Sequence, residues 1–236
     1  MKVLRFLPWL AGIAACAVVA SGFGARFGVW HFSVGFAILR YATYAGLAIA
    51  AIALVALLVP RTRAGNVAPL AASLVVALAA SALPLYWLQQ ARTLPPINDI
   101  TTDTANPPEF VAIVPLRAGA PSPVAYPGAA AADAQHKGYP DIKTVESARP
   151  PAAAFDAALA VARDFGWKIV AADAAAGRIE AIATTTWFGF TDDVVIRVAP
   201  NGAGSRIDVR SHSRVGRGDL GANARRVREF SARVAG

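Results

Sequence analysis

The sequence predicts two architectures in series. Three transmembrane helices come first, and a small α+β domain follows, with helices packed on one face of an antiparallel sheet in the order strand, helix, four strands, helix. Three observations predict this. Residues 1–98 contain neither Asp nor Glu, and all fifteen acids fall between Asp99 and Glu229. Inside the acid-free part lie three apolar runs of 18 to 21 residues, and a helix of about 20 residues crosses a hydrocarbon layer of about 30 Å. Past Asp141 continuous apolarity gives way to alternation of apolar and polar residues, punctuated by turn and cap residues.

The runs span about 6–23, 41–59 and 67–87, so residues 1–90 form a membrane domain. Lys2 and Arg5 before the first run also fit a cleaved signal peptide, and Ile13-Ala14-Ala15-Cys16 resembles a lipoprotein box. The run stays apolar beyond Cys16 and two further runs follow, which favours an uncleaved span. Lys2, Arg5, Arg61 and Arg63 flank one side of the spans and Arg26, Arg40 and Arg92 the other. The compact Arg61–Arg63 loop is the better stop signal and places the amino terminus in the cytoplasm. Everything after Trp87 is then expected outside a bacterial inner membrane, in the periplasm of a Gram-negative host. Arg40 reads as a span-end arginine reaching to the interface. Pro69 and Pro84 sit near the two ends of the third run, where a missing amide hydrogen bond costs least.

Residues 91–141 hold nine of the sixteen prolines and form a strap or a linker. Proline at this density excludes a long helix and favours extended chain. Ile97, Ile100, Phe110, Val111, Ile113 and Val114 are more apolar residues than a solvated linker needs, and they favour a strap. Asp99 and Asp103 lie four apart, but two carboxylates without a nearby His or Cys are a weak ligand set, and structure is the better reading.

Residues 142–236 form the soluble domain. Ile142 to Val145 is a short strand candidate. Pro150-Pro151 opens a helix whose buried stripe is Phe155, Leu159, Ala162 and Phe165, ended by Gly166. Trp167 to Ala172 and Arg178 to Thr186 are the next strands. Val194, Ile196 and Val198 alternate with Val195 and Arg197, and Ile207, Val209 and Ser211 alternate with Arg206, Asp208, Arg210 and His212. Asn201-Gly202 between them accepts the positive φ of a tight turn, which makes the pair a hairpin. Asp219 caps a last helix with Leu220, Ala224, Val227, Phe230, Ser231 and Val234 on its apolar stripe.

The pieces NDITTDTANPPEF, YPDI, GWKIV, RIEAIATTTWFGFTDDVVIRV and GSRIDVRSHSRVGRGDLGANARR resemble a bacterial and plastid family known as domain of unknown function 1499, over residues 97 to 235. The resemblance implies a membrane-tethered or secreted domain without an assigned reaction, and it carries no catalytic residues across.

Candidate chemistry is sparse. Asp208, Ser211 and His212 are the ingredients of a nucleophilic triad, but on one strand Ser211 and His212 point to opposite faces. No G-x-S-x-G elbow or Gly-rich phosphate loop is present, and His31, His136, His212 and the single Cys16 give no metal or haem spacing. Neither a cofactor nor a metal is expected. The candidate surface is the polar sheet face, with Arg197, Arg206, Asp208, Arg210, His212, Arg214 and Arg217 as an anion or partner site. Asp192 and Asp193 are the internal partners that would neutralise it. Trp187, Phe188 and Phe190 are candidate interfacial aromatics, with the wrapping of a hairpin end as the alternative. Despite a formal net charge of +8, nucleic acid is a poor partner for a domain outside the cytoplasm, whereas membrane lipids or another membrane protein fit. The expected role is a non-catalytic interaction or scaffold protein, such as an accessory subunit of a membrane complex. The alternatives are a binding module for anionic lipid or another anion, and a hydrolase of unrecognised type.

Overall fold

In the computed structural model, which describes residues 2–235 with side chains from residue 4, the chain divides into two units. One comprises residues 1–92 with 186–189, the other residues 93–185 with 190–236. The Lys2 side chain lies outside the described part.

The first unit is built on helices α1 (Leu7–Arg26), α2 (Phe32–Leu58) and α3 (Val67–Thr93). Among the described residues these are three helices long and apolar enough to cross a membrane. A single helical turn, Pro60–Arg63, joins α2 to α3. Small residues let the helices approach closely, as they must where lipid removes the hydrophobic drive between them. An added Cβ at Gly46 of α2 would come 2.8 Å from the Ser81 hydroxyl of α3. Hydroxyls in the helices are satisfied internally: Thr43 donates to the Leu39 carbonyl at 2.7 Å and Ser81 to that of Ala77 at 2.8 Å. Helix α2 starts nine residues before the run that charge delimits, because Phe32 to Leu39 continues the apolar pattern through Arg40. Arg40 is therefore an exposed residue inside a helix, not at its end. At 1.5 Å per residue the 27-residue helix is about 40 Å long, longer than the hydrocarbon layer, so its first turns can project beyond it.

Segment 186–189 completes this unit. The Trp187 indole donates to the Val19 carbonyl at 2.8 Å and lies 4.9 Å, centroid to centroid, from Trp87. The buried Phe188 ring lies 4.8 Å from Phe36.

The second unit is an antiparallel sheet of six strands, β1 (Asp99–Thr101), β2 (Val145–Ser147), β3 (Lys168–Asp173), β4 (Arg178–Thr184), β5 (Thr191–Asn201) and β6 (Gly204–Ser213). The order is β1-β6-β5-β4-β3, with β2 also paired to β6. Its helices are α4 (Ala129–Gly138), α5 (Pro151–Asp164) and α6 (Ala222–Ala235). The α+β class read from the sequence holds, and the β5–β6 hairpin forms with Arg197 opposite Asp208 and Asn201 opposite Gly204. Its two-residue loop is Gly202-Ala203, one position later than the Asn-Gly pair suggests. Gly202, at φ +59°, takes the left-handed first position of the loop.

One sheet face carries the apolar core. Ile179, Val194, Ile196, Ile207 and Val209 meet Phe155, Ala158 and Ala162 of α5 and Ala224, Val227, Phe230 and Val234 of α6. The Asp219 carboxylate accepts the amides of Gly221 and Asn223 and starts α6. Leu220 falls outside the helix, at φ +54°. The short strand before α5 lies at Val145–Ser147, later than Ile142–Val145, because Ile142 drops into the core as a loop residue and Thr144 turns to bond Asp208.

Candidate functional site: the strapped polar face

Strand alternation sends Asp208, Arg210 and His212 of β6 to the face opposite the core, with Asp193, Val195 and Arg197 of β5 beside them and Glu180 of β4 beyond. This face is not solvated. The Pro-rich stretch enters as β1, pairs with β6, and then crosses the polar face as an irregular strap.

Five carboxylates hold strap to sheet. Asp99 takes the Arg210 guanidinium through both oxygens, at 2.9 and 2.7 Å. Arg210 is 3 % exposed. Its remaining N–H groups donate to the strap carbonyls of Pro108 and Val124, and its plane lies over the Phe110 and Tyr126 rings at 4.9 and 5.5 Å. Asp193 is shared by Arg117 of the strap at 2.6 Å and Arg214 at 2.8 Å. Asp208 accepts from Thr102, Thr144 and Arg197, and Arg197 and Arg206 both reach on to Asp103. Glu180, fully buried, accepts three consecutive strap amides, those of Val111, Ala112 and Ile113, at 2.9 to 3.0 Å. Each buried charge thus meets an opposite charge or a row of N–H donors, the condition under which burying it is tolerable.

Titration behaviour follows from these contacts. Burial alone would raise Asp208, but hydrogen bonds from Thr144 and Arg197 and the charges of Arg197 and Arg206 outweigh it and hold the carboxyl below its usual range. Burial pushes His212 down to about 4, against the opposing pull of Asp99, whose carboxylate is 3.6 Å from Nδ1. Burial and the Asp99 charge push Tyr126 up to about 12. At the start of α6, burial raises Asp219 despite its two amide donors.

The open arginine surface expected from the sequence is corrected by this geometry. Asp208, Arg210 and His212 are buried, and Arg197 and Arg214 are half-buried and paired to carboxylates. Arg206 stays half-exposed while bound to Asp103 and Asp208, and Arg217 is exposed. The physical reason is that the acids come from the strap, far away in sequence. Ser211 and His212 do diverge: Ser211 donates to Asn223 at 2.6 Å on the core side, while His212 lies beside Asp99. Of the aromatics, Phe188 is buried and Trp187 and Phe190 are half-buried. Asp99 and Asp103 are occupied by arginines, and no group of three His, Cys, Asp or Glu side chains among the described residues is placed to hold a metal ion.

Sequence reasoning did not single out Glu180, Arg117, Gln135 or Asn223. Gln135 of α4 donates to and accepts from the Thr101 backbone, which closes the outer edge of β1. Asn223 bridges Ser211, Ser213 and the Asn98 carbonyl. For Glu180 a signal existed: it is the lone charge inside Ile179 to Ala183. A cleft of about 390 Å³ opens beside the strap, lined by Pro107, Pro108, Glu109, Arg178, Val195 and Arg197 among others. Its two arginines are paired to Glu180, Asp103 and Asp208.

Membrane-capable helices in one unit and a strapped α+β sheet in the other define the class: a membrane-associated α+β protein whose polar sheet face is sealed by its own chain. The chain belongs to the family described as protein of unknown function (DUF1499), whose profile matches residues 99–234, from the start of β1 almost to the end of α6. No curated protein matches the chain.

Proposed function

We propose that the protein is a non-catalytic, membrane-anchored interaction protein, an accessory or scaffold subunit of the bacterial inner membrane, with its amino terminus in the cytoplasm and its α+β domain in the periplasm. One observation carries the reading. The polar residues that looked most like a reactive or ligand-binding set are spent on holding the strap, and Ser211 and His212 lie on opposite sides of the sheet. The three long apolar helices support the membrane anchor, and the Arg61–Arg63 turn supports the orientation.

Two measurements test it. With Cys16→Ser and Ala175→Cys, a membrane-impermeant maleimide should label intact spheroplasts; labelling only after lysis would reverse the orientation. Cross-linking in native membranes followed by mass spectrometry should recover a reproducible membrane-protein partner, and a chain that never cross-links to another would count against the scaffold role.

A further inference from the structure

The two sides of the sheet are finished differently. On the β1 side Gln135 satisfies the Thr101 amide and carbonyl, so a side chain closes that edge. On the other side the sheet ends in β3, and among the described residues no hydrogen bond reaches the outer edge of that strand. None of the six residues of β3 is buried. The cover of the core is incomplete at the same place: Val161, Phe165, Trp167 and Ile169, from the end of α5 into β3, pack on the core yet stay half-buried.

The β3 sequence, Lys-Ile-Val-Ala-Ala-Asp, carries opposite charges at its two ends around an apolar middle. In an unbroken strand residues 168 and 173, five apart, would point to opposite faces. The bulge between Ile169 and Ala171 changes that. Lys168 lies opposite Ile182 and Asp173 opposite Arg178, and residues 182 and 178 are four apart on β4, so Lys168 and Asp173 share the strapped face. By the same register Ile169 and Ala172, opposite Ala181 and Ile179, share the core face. Two copies of β3 laid antiparallel about a twofold axis therefore match: Lys168 meets Asp173 and Ile169 meets Ala172, each pair on one face. A slip of one residue sets the faces against each other, and a slip that puts Lys168 opposite Ala171 leaves both charges unmatched. Asp173 has room for a further cation, since its contact to Arg178 is 3.8 Å long and its side chain is 47 % exposed. A lysine and a bulge on an edge turn unrelated strands away. Here the same two features suit one strand, a copy of itself.

We infer that β3 is a self-recognition edge, which pairs antiparallel with β3 of a second copy of this chain and closes a Lys168–Asp173 ion pair at each end. The pairing takes up the free backbone groups and covers Ile169. It uses residues of the second unit alone and does not rest on the scaffold reading.

The test uses the full chain with Cys16→Ser in mild detergent, its mass followed by light scattering over a range of protein concentrations. A concentration-dependent dimer is expected. Lys168→Asp or Asp173→Lys sets like charges face to face twice in that dimer, so each should raise its dissociation constant by about tenfold or more. The two exchanges together should restore it, with amide exchange across β5 and β6 unchanged throughout. Lys168→Cys combined with Asp173→Cys should form a disulfide-linked dimer under copper–phenanthroline, whereas either cysteine alone, about 17 Å from its own copy, should not. A monomer at every concentration would overturn the inference. So would a dimer indifferent to the single exchanges, which another surface would then be holding, or a double exchange as weak as the singles.

Discussion

Removing the Asp99 carboxylate isolates the energetics of the strapped face. In Asp99→Ala the Arg210 guanidinium keeps its carbonyl partners and its two rings but loses its counter-charge, in a site where Asp99 and Arg210 side chains are 1 and 3 % exposed. Leaving one charge of a buried pair uncompensated costs about 3–5 kcal/mol. The cost falls on the strap before the core, because Asp99 and Pro108 are strap residues while Ile207 and Val209 hold β6 from the other side. Hydrogen exchange read by mass spectrometry on the full chain in detergent should therefore show the amides of Val111 to Ile113 exchanging roughly 10²- to 10³-fold faster, with β5 and β6 much less affected. The double replacement Asp99→Leu with Arg210→Met should recover much of the loss, because an apolar pair of similar volume carries no buried charge. Unchanged exchange over residues 111–113 in Asp99→Ala would refute the clasp. A double variant as open as the single would show that the strap depends on the ion pair itself and not on its neutralisation.

Two other outcomes follow from the same geometry. Glu180→Gln keeps one acceptor oxygen where two serve three amides, so it should cost about 1–3 kcal/mol, with faster exchange confined to residues 111–113; uniform destabilisation would point instead to a core defect. His212 is held neutral, with its pKa lowered from 6.5 to about 4. A depressed value means that the unfolded chain binds the proton first, so stability is full above about pH 6.5, falls as pH drops towards 4, and is then lower by about 3 kcal/mol. The imidazole C–H resonance identified by its loss in His212→Gln should show no titration between about pH 7 and 5, and a midpoint near 6.5 would sink the buried assignment.

The elements whose signal is local were legible in the sequence. Alternation from Arg206 to His212 gave a strand with Ile207 and Val209 inward, and Gly202 gave the reversal. Asp219 gave the helix start, and the long apolar runs gave the membrane-capable helices. What stayed hidden is what depends on sequence-distant partners. Arg210 and Asp99 are 111 residues apart and Val111 and Glu180 are 69 apart, and no periodicity in either segment announces the other. The sparing of Arg210 from solvent could not be read because a period-two strand specifies two faces but not whether the polar one is wet. The extra strand β1 escaped because it is three residues long inside proline-rich chain, and its pairing is supplied entirely by β6.

The family match begins at Asp99, the residue that closes on Arg210. The stretch Asp99 to Phe110 looks like a functional signature because it gathers acids, threonines and prolines. In the structure Asp99 and Asp103 meet arginines of the sheet, Thr102 bonds Asp208, and Phe110 stacks on Arg210. Phosphate or metal sites need polar groups with unspent bonding capacity, and here those of the acids are taken within the fold. A side chain whose replacement loosens the strap therefore tests folding and not chemistry. Surface chemistry is left to groups the clasp does not consume, and Arg210 and His212 are not among them.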